Sequence, residues 1–408
     1  MENTITLGEF KDTFKYLIQN NFRLINRGIA PISVGIEGPC GIGKTSIVEE
    51  IAKELEMTYV RIGLSELEEV GDLCGMPLKE FEVSFPDCPN CPKWVSADIL
   101  NNIHKEFEFT GASRMSYATP AWLPREENPN GILINIDDFS RANSLFQQAL
   151  MELIRTGKYM TWDLPSKALI VLTSNPDDGS YSVTSLDPAQ QSRFINFSIK
   201  FNIDDFAKWA EMNELDSRAI NFAISYSHEI FENENQLATI NPRSYTMFAN
   251  AISGLSNWQN PNNLAMIMNI SKGCFHDPDN IIGNLFTTFI FNKLDQLVSP
   301  SDMLLEDWEK VYPRIRKAVY DDKGQYNPAI ASILHTRLLN YIDYYFTQKK
   351  ADTKVVINRL LDILHADIMI FDADIIFNII RTLYQRHNAR IQKEITYNKE
   401  IRDIILNV

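Results

Sequence analysis

The chain has 408 residues, 45 % of them apolar and 23 % charged, and a formal net charge of −14; two or three domains are expected, because one hydrophobic core seldom supports that length. The acidic balance argues against a broad, non-specific grip on nucleic acid, which relies on Lys and Arg against phosphates, and leaves room only for a small basic channel formed on assembly. No apolar run is long enough to span a bilayer, Met1-Glu2-Asn3-Thr4 lacks the start of a secretory signal, and Cys40, Cys74, Cys88, Cys91 and Cys274 form no even framework, so reduced thiols and a cytoplasmic location are expected.

In chain order, Leu7, Phe10, Phe14, Leu17 and Ile18 stand at helical spacing and predict a leading helix over about 7–27. Residues 32–37 form a short strand that runs into a glycine-rich stretch, and 46–55 form a helix with Ile47, Val48, Ile51 and Leu55 on one face. A second strand covers 58–62. A less regular stretch, about 78–118, is rich in Phe, Pro and Asn. Strands return at 131–136, ending in Asp137-Asp138, and at 167–173 and 194–199, with an amphipathic helix over 144–155 and a small hairpin at 158–164. Near-continuous apolar strands alternating with helices indicate a parallel sheet covered on both faces. Beyond about 202 only helical spacing remains, broken by turn signals such as Pro300-Ser301 and 321–324. The expected fold class is α/β, a P-loop parallel sheet in residues 1–202 with an insertion at about 78–118. A helical lid follows at 203–277 and a helical C-terminal region at 278–408.

Gly38-Pro39-Cys40-Gly41-Ile42-Gly43-Lys44-Thr45 fits G-x-x-x-x-G-K-[ST], with a strand before it and a helix after it. Glycines let backbone N–H groups turn inward around phosphate oxygens, and the following helix points its positive end at the same place. Residues 38–46, Ser46 included, are therefore the expected triphosphate cradle, with Lys44 on the β- and γ-phosphates and the Thr45 hydroxyl on magnesium. Such a loop needs a carboxylate on the far side of the metal. Asp137 is the expected metal-side carboxylate and Asp138 the expected polariser of the attacking water.

These motifs, together with Thr173-Ser174-Asn175-Pro176, Ser192-Arg193-Phe194, Asn241-Pro242-Arg243, the stretch 71–77 and the stretch 119–124, resemble the AAA+ ATPases of the MoxR and dynein-related group over about residues 30–255. The resemblance implies that Asn175 is a polar sensor of the γ-phosphate or its water. It implies that Arg193 is an arginine finger acting on the neighbouring subunit's nucleotide, and that Arg243 is a second sensor on the lid. Arg141 sits where the group often carries an intersubunit arginine. The implied cofactors are ATP and magnesium, and the implied assembly is a ring, typically hexameric, that remodels a protein partner, often one with a von Willebrand factor A domain. One position departs from the group, which usually has Asp-Glu where this chain has Asp137-Asp138. The shorter side chain displaces the attacking water by about an ångström unless the backbone compensates, which can cost about 100-fold in rate. Slow hydrolysis is therefore expected. A nucleic-acid motor and a nucleotide-gated scaffold that scarcely hydrolyses are the competing readings.

Cys88-Pro89-Asn90-Cys91 is a lone C-x-x-C with only Cys74 and His104 nearby, so incidental thiols in a turn are expected rather than a four-ligand zinc site. Phe81, Phe85, Trp94, Phe107 and Phe109 in the insertion read equally as a contact surface or a small satellite core. Tyr341, Tyr344, Tyr345 and Phe346 read as core, and His335, His365 and His387 are too scattered for a ligand set.

Overall fold

A computed structural model describes residues 4–100, 106–125, 127–177, 179, 181–232, 239–292, 294–320, 324–348, 351–364, 370–386, 389–398 and 401. His104, His365, His387 and the turn signal at 321–323 lie outside these residues. The chain forms two compact units, Met1–Phe201 and Asn202–Val408.

In the first unit, β1 (Thr4–Ile5) leads into α1 (Leu7–Asn26), whose first turn carries a capping box of Thr6 and Glu9. Then follow β2 (Ser33–Glu37), α2 (Lys44–Glu54), β3 (Thr58–Gly63) and α3 (Val70–Cys74). The insertion comprises β4 (Pro77–Phe85), β5 (Cys88–Ser96), α4 (Ala97–Leu100) and β6 (Glu108–Tyr117). The unit closes with β7 (Ile132–Asp137), α5 (Ser144–Thr156), the hairpin β8 (Lys158–Tyr159) and β9 (Trp162–Asp163), β10 (Ala168–Ser174), α6 (Pro188–Gln191) and β11 (Phe194–Ile199). Six strands form one parallel sheet in the order β1-β11-β2-β10-β7-β3. The central strands β7 and β10 read as near-continuous apolar runs because both of their faces are covered. Leu133, Leu169 and Val171 join Phe10, Phe14, Val48 and Ile51 on one side. Ile134, Ile136, Ile170 and Leu172 join Phe146, Leu150 and Trp162 on the other.

The insertion is more regular than its composition suggests. Instead of irregular chain it is an antiparallel sheet in the order β5-β4-β6. The alternation Phe81, Val83, Phe85 and the turn at Pro86-Asp87 outweigh the Pro and Asn content, and Pro92 sits in the edge strand β5, where a missing N–H costs least. Val83 is fully buried, and the rings of Phe81, Phe85, Phe107 and Phe109 touch in sequence. Trp94 stands apart from them under the Arg114 guanidinium, 4.5 Å from its ring centre. The expectation of reduced thiols also needs correction. Cys88 and Cys91 are joined as a disulfide: the chain bends between them at the irregular start of β5, which brings their Cα atoms to 5.4 Å, within bridging range, where extended chain would hold them about 10 Å apart. Cys40, Cys74 and Cys274 keep their thiols.

The second unit is helical: α7 (Ile203–Met212), α8 (Ser217–Ser225), α9 (Ser227–Phe231), α10 (Pro242–Ile252), α11 (Pro261–Phe275), α12 (Ile281–Phe291), α13 (Pro300–Leu305), α14 (Trp308–Val319), α15 (Pro328–Tyr345), α16 (Thr353–Leu364), α17 (Ala373–Arg386) and α18 (Ala389–Tyr397). An aromatic cluster around Tyr245 and Phe286 joins α7 to α12. A second core, from Val298 to Ile401, holds α13 to α18, with Tyr341, Tyr345 and Phe346 packed on it. The expected junction near 277/278 lies inside this unit. α15 packs on α7, and Arg337 of α15 donates to Glu211 (2.8 Å), Asn221 (2.7 Å) and Ser217 (2.7 Å). Among the described residues no helix is long and apolar enough to cross a membrane.

Candidate nucleotide site

The loop 38–45 leaves β2 and enters α2 at the strand ends where the sheet stops, so the positive end of α2 faces the loop. Gly41 and Gly43 adopt φ of 76° and 103°, which only glycine takes without strain. Gly38 is required for another reason: a Cβ there would lie 2.7 Å from the Ile199 carbonyl oxygen. Lys44 is buried and its ammonium folds back over the loop, donating to the carbonyls of Gly38 (2.7 Å) and Pro39 (2.8 Å) and to Asn175 Oδ1 (3.2 Å). The Cys40 N–H donates to the Tyr181 hydroxyl at 3.1 Å. A narrow turn, a helix N-terminus and an inward lysine are the donor set that polyphosphate chemistry calls for.

On the adjoining strand, Asp137 is the point of convergence. Its Oδ1 accepts from Thr45 Oγ1 (2.9 Å) and Thr173 Oγ1 (2.5 Å), and its Oδ2 accepts from Arg61 Nε (2.8 Å). Burial pushes this carboxyl up, but hydrogen bonds from Thr173, Arg61 and Thr45, with the charge of Arg61, outweigh it and hold the group below its usual range. Asp137 is therefore an anion beside a hydroxyl on the loop. That pairing fits a hard divalent cation, which takes oxygen ligands and would find Thr45 and Asp137 together. Two positions before Asp137 on the same strand, the fully buried Asn135 donates to the Tyr59 hydroxyl at 3.0 Å.

The remaining sequence candidates divide into two groups. Asn175 lies with Lys44, and its N–H donates to Ser140 Oγ at 3.1 Å. Asp138 follows Asp137 directly and takes a left-handed backbone, φ 56° and ψ 37°, at the head of the short turn Phe139–Arg141. Arg141 is exposed at the end of that turn. Arg193 is exposed just ahead of β11 and donates to the Met151 carbonyl at 3.2 Å. Arg243 lies in the first turn of α10 in the second unit, with its N–H held by the Asn241 side chain. Sequence reasoning passed over Arg61, Thr173, Ser140 and Tyr181. Arg61 carried a signal, since a lone charge inside an apolar parallel strand demands a partner. Thr173 stood in a quoted motif without a role.

Residues 34–119 match the family model for the ATPase family associated with various cellular activities (AAA). The fold is the P-loop AAA+ fold, with a helical C-terminal region. Solved structures similar to this chain include the RuvB Holliday junction branch migration motor of Thermotoga maritima, at 17 % identity over 76 % of this chain and 79 % of that one, with a TM-score of 0.33. A point variant of that same RuvB aligns at 15 % identity over 80 % and 93 %, with a TM-score of 0.37. A candidate ATPase of Cytophaga hutchinsonii aligns at 15 % identity over 93 % and 90 %, with a TM-score of 0.31. No curated protein matches the sequence.

Proposed function

We infer that this chain binds magnesium-ATP between the loop 38–45 and Asp137, hydrolyses it slowly, and acts as a MoxR-like ring that remodels a protein partner in the cytoplasm. The observation that carries the reading is the 2.9 Å contact from the Thr45 hydroxyl to Asp137, which joins the glycine turn to a carboxylate held as an anion. Magnesium would supply charge neutralisation on the phosphates. Backbone N–H groups of 41–46 orient the triphosphate, and Lys44, released from the carbonyls of Gly38 and Pro39, neutralises its end. Asn175, already beside Lys44, is placed to hold a terminal phosphate oxygen or the attacking water, and Asp138 to accept that water's proton.

The position of Arg193 supports the ring. Phe194 lies opposite Ser33 and Ser198 opposite Glu37, so Arg193 stands at the far end of the strands from the loop, about 16 Å away at the usual strand rise. That distance keeps Arg193 from its own subunit's phosphate and supports the finger role on a neighbour. Arg141 and Arg243 are assigned supporting roles, at the subunit boundary and on the second unit. The short Asp138 favours one further reading, a nucleotide-gated scaffold with little turnover.

The test is ATP turnover measured against protein concentration for wild type, Lys44→Ala and Arg193→Ala, alone and mixed. Each variant alone should lose turnover, Arg193→Ala by about 1,000-fold. Mixing the two should restore part of it, because one copy supplies the arginine and the other the nucleotide. No restoration on mixing would remove the ring from this reading. No magnesium-dependent nucleotide binding by wild type would remove the reading altogether.

A further inference from the structure

Resting on the nucleotide reading above, the geometry points to Arg61 as a built-in counter-ion that competes with the divalent metal for Asp137 and so sets the magnesium requirement of the site. Nothing in the glycine loop or in the acid pair calls for an arginine here. Arg61 sits on β3 opposite Asn135 of β7, which brings its guanidinium alongside the end of the next strand, where Asp137 lies. Its Nε donates to Asp137 Oδ2 at 2.8 Å, while Thr45 and Thr173 occupy Oδ1. The cation thus covers the oxygen that the two hydroxyls leave open.

Glu66 gives Arg61 a second partner. Arg61 Nη1 donates to Glu66 Oε1 at 3.0 Å, and the Glu66 side chain is 65 % exposed. Arg61 is itself 45 % exposed against 13 % for Asp137, so the guanidinium can leave the buried carboxylate without losing solvent or its outer partner. A purely structural pair would bury both ends, since an arginine held half in water adds little to folding. Here the buried end is the acid that a metal needs, and the exposed end already has a second partner. For Thr45 and Asp137 to hold a divalent ion, the Arg61 guanidinium would have to give up Asp137 and keep only its Glu66 contact. The energy of that exchange is subtracted from metal affinity, and it keeps Asp137 from holding a cation before nucleotide arrives.

The experiment is equilibrium binding of a fluorescent ATP analogue to the full chain, read by anisotropy, in EDTA and across a magnesium titration, with thermal unfolding as a check on folding. Arg61→Gln should lower the magnesium concentration for half-maximal binding about threefold to tenfold, the range of a partly exposed ion pair, and leave affinity in EDTA within about twofold. Arg61→Lys should stay near wild type. Glu66→Gln, which removes the outer partner and leaves Arg61 on Asp137, should raise the requirement. An unchanged or higher requirement in folded Arg61→Gln overturns the counter-ion role while leaving nucleotide binding intact. If Arg61→Gln fails to fold, an unchanged requirement in Glu66→Gln overturns it instead. Absence of any magnesium effect in wild type overturns both this role and the reading on which it rests.

Discussion

Each unit of the molecule holds an arginine against a buried carboxylate, and the two pairs behave oppositely. Asp137 receives Thr45, Thr173 and Arg61, and its pKa is lowered despite burial. Glu211 receives Arg337 alone, and its pKa is raised, because burial outweighs the attraction of Arg337. Burial likewise lowers the pKa of Arg337 against the pull of Glu211. Both acids face a cation, but Asp137 is less deeply buried and takes three donors, whereas the deeper Glu211 takes one, and the balance falls accordingly. With side chains only 1 % and 7 % exposed, Arg337–Glu211 has no second place for either charge and works as a lock between α15 and α7. Arg61–Asp137 keeps one foot in water and an alternative partner, which suits an exchangeable ion.

The comparison is broken hardest at the lock. Arg337→Met leaves Glu211 buried without its cation and should destabilise the second unit by about 3–5 kcal/mol, read by chemical denaturation. Adding Glu211→Leu should recover most of that loss. A loss for the single variant no larger than that of Arg61→Gln would mean the two pairs do not differ in kind. Next in size is Asp138→Glu, which restores the missing methylene and should raise turnover by up to about 100-fold if reach is what limits the enzyme. The left-handed backbone at Asp138 suits Asp better than Glu, so the same variant should lose about 1 kcal/mol or less of stability. Asp138→Asn with unaltered turnover would favour the scaffold reading.

The smallest effect concerns His335 in the second unit, whose pKa burial lowers from 6.5 against the charges of Asp204 and Asp372. The unfolded chain takes up a proton near pH 6.5 that the folded unit resists. Stability from this residue is therefore complete above 6.5 and declines as pH falls below it, until the folded imidazole titrates. Denaturation midpoints at pH 7.5 and 5.5 should differ in wild type and differ less in His335→Gln. Equal differences would assign the pH effect elsewhere.

Much of the fold was legible because the strands of a doubly covered sheet read as apolar runs, and a glycine loop between strand and helix has few other uses. Thr45 and Asp137 could be named from the chain because each closes a recognisable element. The insertion was harder: Phe81, Val83 and Phe85 alternate as a strand should, but Pro and Asn in β5 masked the pattern. Arg61 announced itself as a charge in an apolar strand, but its partner stayed hidden, because Asp137 lies 76 positions away and only strand order makes them neighbours. The joint packing of α7 and α15 was hidden for the same reason, since periodicity describes one helix at a time. The backbone of Asp138 leaves no trace in composition at all.

The strand β11 starts just after Arg193 and ends at Ile199, whose carbonyl leaves no room for even a methyl group on Gly38. A displacement of that strand along its own axis would reach the floor of the phosphate turn within six residues and with no slack between them. The exposed end at Arg193 and the grip of the phosphate turn would then be two ends of one rigid rod.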